Sequence, residues 1–174
     1  YRFAWDAGDR LTEQQDLDGS AKHYDYDLLD NITAVTALPA PYGNGLAVVP
    51  ETPPAPIVHR LERDALGRLV AKTTDDGRTD YSYDAVDQLT AVTFTDLQGN
   101  AQALGFAYDA VGQLLAEQSA AGKLQHHYDE LGNLIQTQLP DGRWLNRLYY
   151  GSGHLHRINL DGQVISDFER DRLH

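Results

Sequence analysis

Along this chain, residues two apart repeatedly share a character. Tyr24 matches Tyr26, Tyr81 matches Tyr83, Phe106 matches Tyr108, His126 matches Tyr128, and Tyr1 matches Phe3 and Trp5. A spacing of two places such side chains on one face of a β-strand. In the runs that follow, such as Leu69 to Thr74 and Leu114 to Ser119, apolar residues fall on both faces and the alternation weakens. Asp, Gly and Asn punctuate the runs, so the pattern predicts short strands joined by tight turns.

The pattern is also periodic. YDAVDQL (Tyr83 to Leu89), YDAVGQL (Tyr108 to Leu114) and YDELGNL (Tyr128 to Leu134) define a template Y-D-x-x-G-x-L. Weaker copies are WDAGDRL from Trp5, YDLLDNI from Tyr26, RDALGRL from Arg63, YYGSGHL from Tyr149 and RDRLH from Arg170. With the second template position as marker, the copies stand at Asp6, Asp27, Asp64, Asp84, Asp109, Asp129, Tyr150 and Asp171. Their separations are 21, 37, 20, 25, 20, 21 and 21 residues. A second landmark recurs between them at Asp18-Gly19, Asp76-Gly77, Gly99-Asn100, Ala121-Gly122, Asp141-Gly142 and Asp161-Gly162. Two turns per period leave room for two strands, so each repeat is predicted to be a β-hairpin.

Turn chemistry supports this. Aspartate at the first place and glycine at the last, as in Asp109 and Gly112 or Asp129 and Gly132, suit a type I turn, and the carboxylate can accept backbone N–H bonds. Gly67 and Gly153 hold the same place. Asp-Gly between strands signals a two-residue hairpin. The fold class expected is all-β: antiparallel hairpins of about 20 residues forming one long curved sheet, with the template tyrosines stacked in an aromatic ladder.

The 37-residue interval contains 38–57, which holds six of the seven prolines. Proline removes ladder donors, so this segment is expected to be an inserted loop, and the repeat resumes at Val58. Residues 1–174 otherwise read as a single repeat segment.

Composition narrows the function. There are 14 basic against 26 acidic residues, for a net charge of −12, which leaves no basic patch for nucleic acid. Twenty of the acids are aspartate, a turn residue, so the charge follows from the turns. No apolar run is long enough to span a membrane. With neither Cys nor Met, the sequence is expected to be a piece of a longer chain, whose uncapped terminal hairpins would associate or need neighbouring repeats.

The in-frame units YDAVGQL, YDELGNL and RDALGRL, with Asp-Gly turns between them, resemble the YD repeats of Rhs proteins, the core of bacterial polymorphic toxins. The resemblance implies a wall segment of a hollow shell that encloses a C-terminal toxic domain for delivery to a target cell, as in the similar insecticidal toxin-complex proteins. It further implies, as partners, the remaining shell chain and the enclosed toxin, with a secretion spike protein and an adaptor chaperone. The corresponding localisation is that of a secreted effector, delivered from the bacterial cytoplasm by type VI secretion in interbacterial competition. The residues that carry the repeat are Trp5, Asp6, Tyr26, Asp27, Asp64, Gly67, Tyr83, Asp84, Tyr108, Asp109, Gly112, Tyr128, Asp129, Gly132, Tyr149, Gly153 and Asp171.

Other chemistries are weaker. Asp75, Asp76 and Asp80 suggest an acid/base pair, but Asp76 belongs to a turn, and a periodic residue is a poor candidate for a singular catalytic demand. Rhs-like cores often carry an aspartyl self-cleavage site with an Asp-Pro motif; the chain has no Asp-Pro, so no catalytic residue is assigned and no enzyme is expected. His126 and His127 point to opposite faces, and with His154 and His156 they lack a completing ligand. One carboxylate per turn is too few for calcium. Neither metal nor cofactor is expected. The competing functional reading is an adhesion or carbohydrate-binding module, similar to the YD-repeat region of teneurins.

Overall fold

A computed structural model describes residues 1–40, 54–151 and 153–169. Fifteen strands make up the described chain: β1 (Arg2–Trp5), β2 (Leu11–Gln15), β3 (Ala21–Tyr26), β4 (Ile32–Leu38), β5 (Ile57–Arg63), β6 (Leu69–Thr74), β7 (Gly77–Tyr83), β8 (Leu89–Asp96), β9 (Ala101–Tyr108), β10 (Leu114–Ser119), β11 (Gly122–Tyr128), β12 (Leu134–Gln138), β13 (Trp144–Tyr149), β14 (Leu155–Leu160) and β15 (Gln163–Asp167). They form a 15-stranded sheet in chain order, and no helix occurs among the described residues. The expected all-β series of hairpins is therefore present.

Two compact units divide the chain: Tyr1–Tyr81 with Phe94–Ala101, and Ser82–Thr93 with Gln102–His174. In the first, β1 to β7 pair antiparallel in succession. In the second, β9 to β15 do the same. The proline-rich insertion falls largely at 41–53, outside the described residues. The strands flanking it pair directly, Ala37 opposite Ile57.

Burial is that of a single layer. Strand residues are mostly half-buried, and the buried side chains are small or polar: Ala21, Ala71, Ala116, His126 and Thr137. No large side chain is fully buried among the described residues. Ala71 has no exposure at all, and it is flanked by Glu62 on β5 and Asp80 on β7. Large apolar residues stand out in solvent at the turns, including Leu29, Leu66, Val86, Val111 and Leu131. Hydrogen bonding along the sheet, rather than a closed apolar core, is what joins one repeat to the next.

Candidate functional site in the tyrosine-aspartate turns

Among the described residues, seven turns of the template type join β1 to β2, β3 to β4, β5 to β6, β7 to β8, β9 to β10, β11 to β12 and β13 to β14. Counted from the aspartate as position one, the backbone is the same each time. The amide of position one donates to the carbonyl of position five, and the amide of position four donates back to the carbonyl of position one. In the turn at Asp129 these are Asp129 N to Asn133 O and Gly132 N to Asp129 O, both 3.0 Å. Position four has positive φ, +89° at Gly112 and +83° at Gly132. This is a three-residue hairpin loop with a left-handed fourth residue, which shifts the strand register by one at the template tyrosine.

Aspartate can replace glycine there, because its short polar side chain tolerates the left-handed region. Asp9, Asp30 and Asp87 do so at φ of 59°, 64° and 67°. The glycine of the Trp5 copy, Gly8, sits at position three, and Asp9 takes up the left-handed place behind it.

The carboxylate of position one completes each turn. Asp6 Oδ1 accepts from Gly8 N at 2.8 Å and Arg10 N at 3.0 Å, while Oδ2 accepts from Arg10 Nε at 2.7 Å. Asp27 serves Leu29 N, Asn31 N and Asn31 Nδ2 in the same way. Asp64 serves Leu66, Arg68 N and Arg68 Nε, and Asp129 serves Leu131, Asn133 N and Asn133 Nδ2. Asp84 and Asp109 hold the backbone amides at positions three and five. Tyr150 keeps the backbone bonds without a carboxylate. Asp171 lies outside the described residues.

The template tyrosines bridge repeats. The hydroxyl of Tyr26 donates to Leu11 O at 2.8 Å, Tyr108 to Leu89 O at 2.9 Å, Tyr128 to Leu114 O at 3.0 Å and Tyr149 to Leu134 O at 2.9 Å. In each case the acceptor is the template leucine of the preceding repeat, and such a bond contributes about 1 kcal/mol. Tyr83 is placed at the end of β7 and Trp5, with no hydroxyl, at the end of β1. The expected aromatic ladder is thus replaced: among Tyr26, Tyr108, Tyr128 and Tyr149 no ring pair forms, and the hydroxyls make the connection. Ring contacts occur instead between His127 and Trp144 and between Tyr150 and His156.

The second turns differ from expectation. Among the described residues, only Asp161-Gly162 forms a two-residue loop with positive φ at both places, 47° and 88°. Asp16 to Ser20, Asp96 to Asn100 and Leu139 to Arg143 repeat the three-residue turn, with Gly19, Gly99 and Gly142 at position four. Asp96 gives its carboxylate to Gln98 N, Asn100 N and Asn100 Nδ2; the sequence pattern missed it because no tyrosine precedes it. At Asp75-Asp76 and Ala120-Ala121 the loop closes before the glycine, whose place is on the following strand.

These bonds set the charge state of the turns. Arg10, through its amide and then its guanidinium, holds the Asp6 carboxyl below the usual carboxylate range. The amide and then the side chain of Asn31 do so for Asp27. For Asp96 and Asp129 the side-chain amides of Asn100 and Asn133 lead, followed by their backbone N–H groups. For Asp64, burial pushes upward but is outweighed by the Arg68 bonds. A carboxyl whose folded pKa lies below its unfolded value stabilises the fold fully above that unfolded value, about 4. The contribution is lost as pH falls through the depressed folded values. Urea midpoints are therefore expected to start falling below about pH 4. Asp129→Asn, which keeps an acceptor oxygen, is expected to make that fall shallower; an unchanged slope would contradict the assignment.

The carboxylates weighed as an acid/base pair lie in an ion pair and a turn. Asp80 pairs with Arg78 at 2.8 Å, and Asp75 and Asp76 form the β6–β7 loop. Among the described residues no group of three His, Asp or Glu side chains is placed to hold a metal ion, and no helix is long and apolar enough to cross a membrane.

A family model described as RHS Repeat matches residues 63–96 and 108–143, the stretches that carry the turns at Asp64, Asp84, Asp109 and Asp129. The chain is an Rhs repeat segment. Its similarity extends beyond those residues. The double-stranded DNA deaminase toxin A of Burkholderia cenocepacia is 32% identical across the whole segment, which spans 12% of that protein. Toxin protein Tse5 of Pseudomonas aeruginosa is 33% identical over 72% of the segment, equivalent to 8% of Tse5. Among solved structures, a chain of the Photorhabdus luminescens Tc holotoxin pore superposes with a TM-score of 0.71 at 18% identity, covering 91% of the Rhs segment and 9% of that chain. The TcdB2-TccC3 crystal structure gives 0.72 over the same share. The fold is therefore shared with Tc toxin components, while sequence kinship is with named bacterial toxins many times longer than this segment.

Proposed function

We propose that this segment is a structural wall element of an Rhs-type toxin shell, which encapsulates a C-terminal toxic domain for delivery to a target cell. One observation carries the reading: the sheet repeats one turn backbone, with Tyr-to-Leu bonds at four junctions, and no large side chain is fully buried among the described residues. A single layer of this kind is stabilised by extension and by what covers its faces, as in repeat proteins whose units depend on their neighbours. The toxin relatives and the Tc fold support placing that layer in a shell. Its role is enclosure, not catalysis. The rest of the shell and the enclosed toxin are its first partners. The similarity to Tse5 supports type VI secretion and hence a secreted effector; a spike protein and an adaptor chaperone complete the proposed set of partners.

Limited proteolysis of the full-length protein tests this. With residues 1–174 excised, the C-terminal domain is expected to become cleavable under conditions that leave it intact in the parent. Equal protection in both proteins would sink the wall reading.

A further inference from the structure

Within each unit, successive turns meet at two positions: the fifth residue of one repeat and the fourth of the next. Arg10 Nη1 lies 2.8 Å from Asp30 Oδ1. A Cβ placed on Gly112 would stand 3.1 Å from Gln88 Nε2, and one on Gly132 would stand 3.2 Å from Gln113 Nε2. Gly67 and Gly153 face Asn31 Oδ1 and Asn133 Oδ1 at 3.9 and 3.7 Å by the same measure. Residue type follows the contact. Where position four is glycine, the preceding fifth residue is an amide: Asn31, Gln88, Gln113 or Asn133. Where position four is aspartate and a repeat precedes it, that fifth residue is arginine: Arg10 before Asp30 and, in sequence, Arg68 before Asp87. Every junction from Asp6 to Gly153 obeys this.

We propose that these two positions form a pairing code that sets which turn lies beside which, arginine reading aspartate and an amide reading glycine. The physical basis is mismatch. Arginine over glycine keeps the carboxylate of its own turn but loses the second one, which Asp30 supplies to Arg10 Nη1, and an amide over aspartate leaves that carboxylate without a cation. An exposed ion pair contributes little stability by itself, so the effect is chiefly discrimination between neighbours. Discrimination matters in a sheet with both faces half-buried, because a slip of one residue exchanges the faces.

Two sets of variants test the code. At Arg10 and Asp30 in the full chain, Arg10→Gln and Asp30→Gly are each expected to lower the melting temperature, and the double variant, which restores an amide over glycine, to recover at least half of the summed loss. Strict additivity would overturn the code. For the β1 edge, a copy of residues 101–123 is fused ahead of Tyr1, with Gln113 of the copy kept or replaced by Arg, each with Asp9 intact or carrying Asp9→Gly. The matched combinations, arginine in the copy with Asp9 intact and glutamine in the copy with Asp9→Gly, are expected to melt higher than the mismatched ones, by roughly 1–3 °C. Should melting prove broad, amide exchange at the 6–10 and 27–31 turns reads the same coupling locally. No dependence on matching at the fused junction would overturn the code.

Discussion

Gly77→Ala is expected to destabilise the protein by about 3 kcal/mol or more. Two costs combine at this position. Its φ is +149°, a conformation that L side chains rarely adopt. A Cβ there would also run into the carbonyl oxygen of Thr95 and approach Asp96 Cα at 3.0 Å and the Phe94 ring at 3.1 Å. Backbone atoms of a hydrogen-bonded strand cannot swing aside as a side-chain tip can, so the strand itself must shift. Overpacking of that kind typically costs about 1–3 kcal/mol, and backbone strain about as much again. Gly142→Ala is the control, since φ there is +87° but an added Cβ meets nothing within 4 Å; it is expected to cost about 1 kcal/mol. Urea unfolding of the two variants separates steric exclusion from conformational strain. Equal losses would mean that β8 does not approach Gly77 as described.

The contrast between those glycines shows how far the sequence can be read. Periodicity in residue type is local information, and it located the strands, the turns at Asp6 through Tyr150 and the aspartate that closes all of them but the last. The left-handed role of Gly112 was equally legible, because type I turn chemistry fixes it within four residues. What distinguishes Gly77 and Gly122 from Gly142 is a neighbouring element: β8 at Thr95 in one case, and in the other the β12–β13 turn at Pro140, whose Cβ lies 2.5 Å from a Cβ built on Gly122. That information sits roughly twenty residues away in sequence. The Asp-Gly dipeptide misled for a related reason. At Asp18-Gly19 the turn begins two residues earlier, at Asp16, so the dipeptide fills its third and fourth places instead of forming a two-residue loop.

Tyrosine was read through its ring, and the structure uses its hydroxyl. Spacing put the template tyrosines in strands correctly, but a ladder of stacked rings requires adjacent repeats to align ring on ring. One strand, β10, separates Tyr108 from Tyr128, and the Tyr128 hydroxyl reaches onto it to the carbonyl of Leu114 instead. Aspartate at position four was the opposite case. Asp30 stands where the template has glycine, and with Arg10 beside it that difference is paired.

The polar cluster on the β10 to β13 face leads to the second large effect, because no periodic reading announces it. His126 and Thr137 are directly opposite on β11 and β12 and are both buried. His126 Nε2 lies 3.0 Å from Glu117 Oε1, its Nδ1 lies 3.2 Å from Thr137 Oγ1, and Arg147 Nη1 donates to that same Oγ1 at 2.9 Å. Arginine can only donate, so the Thr137 hydroxyl accepts from Arg147 and still has its own proton and a second lone pair with which to meet His126 Nδ1 in either tautomer. Thr137→Val preserves shape and removes the one atom shared by both partners. It leaves a buried imidazole nitrogen and a half-buried guanidinium unsatisfied. With about 1–3 kcal/mol for each lost partner and more for the charged one, the expected loss is about 3 kcal/mol. Thr137→Ser keeps the oxygen and should cost about 1 kcal/mol, the loss of one methyl group. Urea unfolding measures both, and histidine NMR on the same variants reports whether His126 Nδ1 has lost its partner. A Val variant as stable as the Ser variant would show that the hydroxyl does not join His126 to Arg147.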